Sequence, residues 1–302
     1  MSNTIKVMTL NTYLLHIPFF SISALTQDKR INAMIKDNIF EDIDIVIFQE
    51  VFNYDSEKKL LSGMRELGFF YHTPVAAQYN ESILSYCDSN HCWNAKKGGW
   101  DVIQQVNSGI TIASRHPIIY REYQLFEDAG CGADRFSARG GVRAVIDING
   151  KVVSVFGTHM QSDDSFCIMS HPSSHRKSQL AQLVNWAEQS TSDDHQAIIL
   201  GGDLNIDYGS DEYKQALKII GWREPENFNP QPSWDFATNN IIREASPDER
   251  HRWHLDYIFA KNVVSINEQT RVIKTKQGYD YNNKLFFDYS DHYPVVAEIE
   301  LY

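Results

Sequence analysis

The chain has 302 residues, 42% of them hydrophobic and 22% charged, which is the composition of a globular protein with enough core to need no staples. Its formal net charge of −11 gives no electrostatic footprint for nucleic acid, although a bound divalent cation would reverse the sign locally. No segment reaches the roughly 18 consecutive apolar residues of a membrane span, and no linker, low-complexity tract or repeat divides the chain, so residues 1–302 read as a single domain. The N-terminus lacks the basic region and long apolar core of a signal peptide.

In chain order, Ile5 to Leu10 is β-rich and ends at Asn11. Lys29 to Ile39 reads as a helix, with Ile31, Met34, Ile35 and Ile39 at helical spacing. Asp44 to Phe48 has the continuous apolar run of a strand buried on both faces and ends at Gln49-Glu50. Ser56 to Leu67 is a second helix, striped by Leu60, Leu61, Met64 and Leu67. Tyr79 to Asn107 shows no period and reads as a long surface loop. Ser108 to Ser114 is a strand, turned at Arg115-His116-Pro117, with Ile118 to Leu125 expected as its partner.

Val142 to Ile148 and Val152 to Phe156 flank Asn149-Gly150, a strong two-residue hairpin signal, and the second arm ends at His159. Ser173 to Gln189 is a helix with Leu180, Leu183, Val184 and Ala187 on one face and Arg176 and Gln179 on another. Ala197 to Leu200 is another doubly buried strand. It runs into Gly201-Gly202-Asp203-Leu204-Asn205, where an acid and an amide two residues apart share one face of extended chain. A short helix follows from Asp211 to Ile220, then an irregular segment to Asp248. His254 to Ala260 and Val263 to Lys274 read as strands, Tyr279 to Phe287 as an aromatic loop or hairpin, and Val295 to Ile299 as the last strand, preceded by Asp291-His292.

Polar residues therefore stand at the end of one core strand after another: Asn11, Glu50, His159, Asp203 with Asn205, Asp256, and Asp291 with His292. Each alone reads as a cap or turn, but the series points to one site. Its oxygen donors and imidazoles, without thiolates, suit Mg²⁺, Mn²⁺ or Ca²⁺ rather than structural zinc. Four cysteines, Cys87, Cys92, Cys131 and Cys167, allow three pairings or none.

These residues carry a resemblance. The motifs Leu10-Asn11-Thr12-Tyr13, Glu50-Val51-Phe52, Trp100-Asp101, Ser108-Gly109-Ile110, Gly130-Cys131-Gly132, Gly157-Thr158-His159 with Asp163-Asp164-Ser165, Gly201 to Asn205, Leu255 to Ile258 and Tyr289 to Val295 run nearly end to end. The set resembles the bacterial neutral sphingomyelinase C family, within the endonuclease/exonuclease/phosphatase superfamily, similar in fold to deoxyribonuclease I. The resemblance implies an α/β fold, a four-layer αββα sandwich of two packed mixed β-sheets with helices outside.

It also implies an Mg²⁺-dependent hydrolysis of sphingomyelin to ceramide and phosphocholine, with Mn²⁺ or Co²⁺ as substitutes and Ca²⁺ as inhibitor or alternative occupant. Glu50, Asn11 and Asp291 are then the metal residues. His292 is the general base, Asp256 its orienting partner, Asp203 and Asn205 the groups that position water and phosphate, and His159 the stabiliser of the phosphoryl oxygens. Tyr13, Phe52, Trp93, Trp100 and Trp234 are candidates for a choline pocket, since aromatic faces bind quaternary ammonium groups. The hairpin region, with Tyr279, Tyr281, Leu285, Phe286 and Phe287 but no tryptophan, is the candidate membrane contact. Cys131–Cys167 is the implied disulfide.

The expected partner is sphingomyelin or a related choline phospholipid at a membrane surface, met by a monomer with no nucleic acid; the resemblance implies secretion or delivery to a host membrane, while the N-terminal sequence leaves a cytosolic location open. Two departures stand out: Leu255-Asp256-Tyr257 lacks the Cys-Asp-Arg of inositol polyphosphate phosphatases, and Tyr54 stands where an accessory metal ligand is expected. The competing readings are a same-fold glycerophospholipid phospholipase C or nuclease, and a catalytically silent membrane-binding protein.

Overall fold

A computed structural model of the chain describes residues 3–15, 21–77, 93–96, 106–191, 196–222, 224, 225, 228 and 230–302. The first half runs β1 (Thr4–Leu14), α1 (Ile22–Asp37), β2 (Ile45–Val51), α2 (Tyr54–Glu66), β3 (Tyr71–His72), β4 (Trp93–Lys96), β5 (Thr111–Ser114), β6 (Ile118–Leu125), β7 (Gly140–Ile148) and β8 (Lys151–His159). The second runs α3 (Pro172–Gln189), β9 (Ala197–Asp203), α4 (Asp211–Ile220), β10 (Trp234–Asp235), α5 (Asn240–Ala245) and β11 (Arg252–Trp253). It closes with β12 (Asp256–Lys261), β13 (Ser265–Thr270), β14 (Tyr279–Tyr281), β15 (Lys284–Phe286) and β16 (Val295–Glu300).

Two six-stranded mixed sheets, in the orders β13-β16-β1-β2-β5-β3 and β12-β9-β8-β7-β6-β4, pack face to face. The doubly apolar strands explain why four layers form. In β2, Ile45 and Ile47 point to the core between the sheets, while Val46 and Phe48 point outward to meet α1 and α2. In β9, Ala197 and Ile199 face inward and Ile198 and Leu200 outward, under α3 and α4. Both faces of each strand are thus removed from water, as the αββα expectation requires. Near the site the sheets approach closely. A Cβ on Gly157 or Gly201 would lie 2.6 or 2.8 Å from the Ile47 side chain, so the two glycines open the slot that Ile47 fills.

Several elements differ from the sequence reading. Helix α1 begins seven residues before Lys29, capped by the Ser21 hydroxyl on the Ala24 N–H. Its first turns bury Ser23, Thr26, Gln27 and Arg30 rather than an apolar stripe, so hydrophobic periodicity could not detect them. Strands β5 and β6 are not partners: β5 pairs with β2 and β3, and β6 with β7 and β4. The Arg115–Pro117 turn carries the chain from one sheet to the other, with Arg115 donating to the carbonyls of Phe40, Ile43 and Leu67. The presumed loop from Tyr79 contains β4, on which Trp93 falls; Trp100 lies outside the described residues. The segment before Asp248 holds β10 and α5.

The aromatic hairpin β14–β15 requires the plainest correction. Tyr279, Tyr281 and Phe286 are buried against Ile22 and Ile241, with Tyr13 beside them, so three of its five candidate membrane residues are core. Among its aromatic and aliphatic residues, Leu285 and Phe287 face solvent. Cys131 and Cys167 form the disulfide.

Candidate active site

Strand register brings the polar strand ends into one row. His159 on β8 is the parallel partner of Asp203 on β9, and Asp256 on β12 is the antiparallel partner of the same Asp203. Across the interface, Asn11 of β1 lies beside Gln49 of β2, one residue before Glu50. The Asn11 amide donates to Glu50 Oε1 and to Asp203 Oδ2, both at 3.0 Å, which ties the two sheets together. Tyr13, Glu50 and Asn205 each have φ between 52° and 59°. Such backbone is uncommon for residues other than glycine, and at the strand ends it accompanies the turn of the Glu50 and Asn205 side chains into the cleft. Asn205 is held by its N–H on Asp203 Oδ1 and by its amide on the Met160 carbonyl.

His292 enters from the segment before β16. Its Nδ1 lies 2.7 Å from Asp256 Oδ2 and its Nε2 is 3.8 Å from Asp203 Oδ2. His159 Nε2 lies 3.5 Å from the same Asp203 oxygen, and its Nδ1 has no hydrogen-bond partner among the described residues. The Ser290 hydroxyl lies 2.6 Å from the Asn11 carbonyl oxygen and 3.1 Å from Asp291 Oδ1, so its one proton is shared between them.

Burial dominates the electrostatics. It pushes Glu50 up to about 8, reinforced by the Asp291 carboxylate and opposed by the Asn11 amide. Burial, then Asp256, pushes Asp203 up to about 6 against the pull of His292. Burial also raises Asp291, with His292 opposing. His159 is driven well below the ordinary imidazole value by burial and by Arg139, so its ring is neutral. Burial disfavours a charged His292 as well, yet Asp256, Asp203 and Asp291 outweigh it and hold that ring well above its usual value.

An excess of carboxylate so deeply buried fits a divalent cation. Glu50 Oε2 and Asp256 Oδ1 are buried without a hydrogen-bond partner among the described residues, an arrangement that costs free energy unless a positive charge completes it. Asp203, Asp256 and His292 offer one ligand atom each within 4.8 Å of one another. There, however, the His292–Asp256 hydrogen bond already engages two of the three side chains. The orphaned oxygen of Glu50 lies outside that hydrogen bond.

The row forms the floor of a cleft of about 1070 Å³. Glu50, His159, Asp203, Asn205 and His292 line it, as do Phe52 and Trp234. Asn11 and Asp256 stand behind the lining, bonded to residues in it. Tyr13 is elsewhere: its ring packs in the hairpin cluster, 5.7 Å from the Arg30 guanidinium. Sequence reasoning missed Arg139, Trp253 and Phe136. Arg139 is buried in the cleft wall, paired with Asp134. Trp253 stacks on Trp234, ring centroids 5.4 Å apart. An arginine immediately before Gly140-Gly141, at the start of an apolar strand, was the one available signal for Arg139.

Comparison with known proteins agrees with this geometry. The sequence profile of the Endonuclease/Exonuclease/phosphatase family matches residues 8–292. Sphingomyelinase C of Listeria ivanovii is 30% identical, over 90% of this chain and 79% of that protein. Phospholipase C of Staphylococcus aureus is 29% identical, over 97% and 86%. A crystal structure of a beta toxin mutant from Staphylococcus aureus, with bound magnesium ions, superposes with a TM-score of 0.85 at 28% identity, covering 97% of this chain and 98% of that one. Fold and site together define a hydrolase, a metal-dependent phosphodiesterase. The chain belongs to the Endonuclease/Exonuclease/phosphatase family and, within it, to the bacterial sphingomyelinases C.

Proposed function

We propose that this enzyme hydrolyses sphingomyelin to ceramide and phosphocholine at a membrane surface outside the cell that makes it. The observation that carries the reading is the His292–Asp256 pair, 2.7 Å apart, with the free Nε2 edge directed at the acidic floor of the cleft. A divalent cation, Mg²⁺ in this reading, would be held by Glu50 with Asn11 and Asp291 near it, and would supply neutralisation of a phosphate oxygen.

His292 Nε2 takes the proton of the attacking water, and Asp256 keeps the other ring proton on Nδ1. The ring must be neutral to act. Its raised pKa belongs to the uncompensated acidic cluster, and added positive charge among those carboxylates lowers it. Asp203 and Asn205 position the water and the phosphate. His159 donates to a phosphoryl oxygen, and Arg139 adds a fixed positive charge on the same wall. Phe52 and Trp234 face the choline ammonium.

The decisive experiment is a panel of sphingomyelin, phosphatidylcholine, lysolipid and single-stranded DNA, each with Mg²⁺ and with chelator. Phosphocholine released from sphingomyelin alone, and only with the metal, is the expected result. Cleavage of DNA, or activity that survives chelator, overturns it. The relative named phospholipase C makes glycerophospholipid cleavage the second reading, and the phosphatidylcholine arm tests it.

A further inference from the structure

Beside the cleft mouth the chain crosses from β8 to α3 through residues 160–171, and there it exposes three large apolar side chains in succession. Phe166 is 75% exposed, Ile168 87% and Met169 99%. Between Ser165 and Ser170 no residue is charged. A soluble surface normally scatters such groups singly, so a run of three is a feature to be explained.

This is no loose excursion. Asp164 Oδ2 accepts from the Ala133 N–H at 2.6 Å and its Oδ1 from the Phe166 N–H at 2.8 Å. Gly132 is required for that contact, since a Cβ there would meet Asp164 Oδ2 at 2.2 Å, and its φ is +58°. The disulfide from Cys131 grips the middle at Cys167. The far end is held by Ser170, whose hydroxyl lies 2.7 Å from His175 Nε2, while His175 Nδ1 lies 2.6 Å from Asp128. Fixed backbone carrying bare apolar tips pays little ordering entropy on docking.

The loop is also continuous with the catalytic cleft. Ser162 and Asp163, at its start, line the cleft, as do Phe136 and Val106, themselves 46% and 40% exposed. Val106 donates its N–H to the Phe136 carbonyl, and Phe136 ends the short turn that begins after Cys131. The turn that carries Phe136 is thus tied to the loop by the Ala133–Asp164 hydrogen bond and the Cys131–Cys167 disulfide.

We propose that Phe166, Ile168 and Met169 form a disulfide-braced prow that inserts into a zwitterionic lipid interface and seats the cleft mouth on it. The hairpin β14–β15 does not serve this purpose, because its aromatic side chains are largely spent in the core. The assignment rests on a lipid substrate, so binding and catalysis are to be measured separately. Flotation with phosphatidylcholine vesicles in chelator reads docking without hydrolysis. Turnover of a short-chain sphingomyelin below its critical micelle concentration, with Mg²⁺, reads the catalytic centre alone.

The triple variant Phe166→Ser, Ile168→Ser, Met169→Ser is expected to lose at least tenfold in vesicle partitioning and to keep wild-type turnover of the monomeric substrate. Leu285→Ser with Phe287→Ser, on the hairpin, is expected to leave partitioning unchanged. Ile168→Trp should gain an emission component quenched by brominated lipid. Wild-type protein that does not float, a triple variant that floats equally well, an unquenched tryptophan, or a triple variant that halves the solution mass would each overturn the proposal; the last would mark the patch as a self-association surface. Absence of sphingomyelin turnover with partitioning intact would count against the substrate reading and leave the docking loop standing.

Discussion

His292 is a residue whose environment pulls in two directions: burial resists its charge, and Asp256, Asp203 and Asp291 demand it. Asp256 therefore sets both tautomer and charge, and the pair should behave as one unit. Asp256→Asn is expected to lower turnover by ~10²–10⁴ with the fold intact, as when an orienting carboxylate is lost from a triad. His292→Ala should cost ~10² or more, and the double variant no more than the worse single one. Rate measurements showing multiplicative losses would separate the two roles. These residues were legible because each stands at the end of an apolar run, and strand ends in one sheet edge share a neighbourhood. Arg139 was not legible in this way. Its importance comes from register and from Asp134, neither of which leaves a periodic trace.

Among the elements, α1 and the hairpin show why polar burial defeats pattern reading. Arg30 is fully buried and donates to the carbonyls of Thr12, Tyr13, Ser23 and Tyr289. It thereby fixes the end of β1, where Tyr13 takes its left-handed backbone, to α1 and to the segment leading to His292. Arg30→Met keeps the bulk but leaves those carbonyls unpaired, at ~1–3 kcal/mol each where water cannot replace the donor. A loss of several kcal/mol in urea unfolding is expected, and a loss under about 1 kcal/mol would show that water substitutes freely.

In the hairpin, Phe286→Ala should cost ~3 kcal/mol as a core truncation, while Leu285→Ala, at the exposed neighbouring position, should be near neutral. Composition marked this stretch as aromatic. Only the packing of Ile22 and Ile241 against it shows which side chains are spent inside. The same limit applies to β5 and β6, since two adjacent apolar strands read alike whether they pair or divide between sheets.

At the scale of the whole molecule, the centre is a seam. Asn11 and Glu50 belong to one sheet, His159, Asp203 and Asp256 to the other, and the Asn11 amide bridges them. Carboxylates from both sides are desolvated along that seam, and Glu50 Oε2 has no hydrogen-bond partner among the described residues. A cation bound there binds the folded protein alone, because unfolding separates its ligands. Saturation at 100 times the dissociation constant then adds about 2.7 kcal/mol, a rise of several degrees in melting temperature. Calorimetry in Mg²⁺ and in chelator should show this shift for the wild type. In Glu50→Gln the shift should vanish, while the chelated protein melts no lower than wild type at pH 7, since a Glu50 pushed up to about 8 is mostly protonated without the ion and the amide replaces a neutral group at nearly constant volume. A full Mg²⁺ shift surviving in that variant would move the ion away from Glu50 and onto the Asp203, Asp256 and His292 cluster.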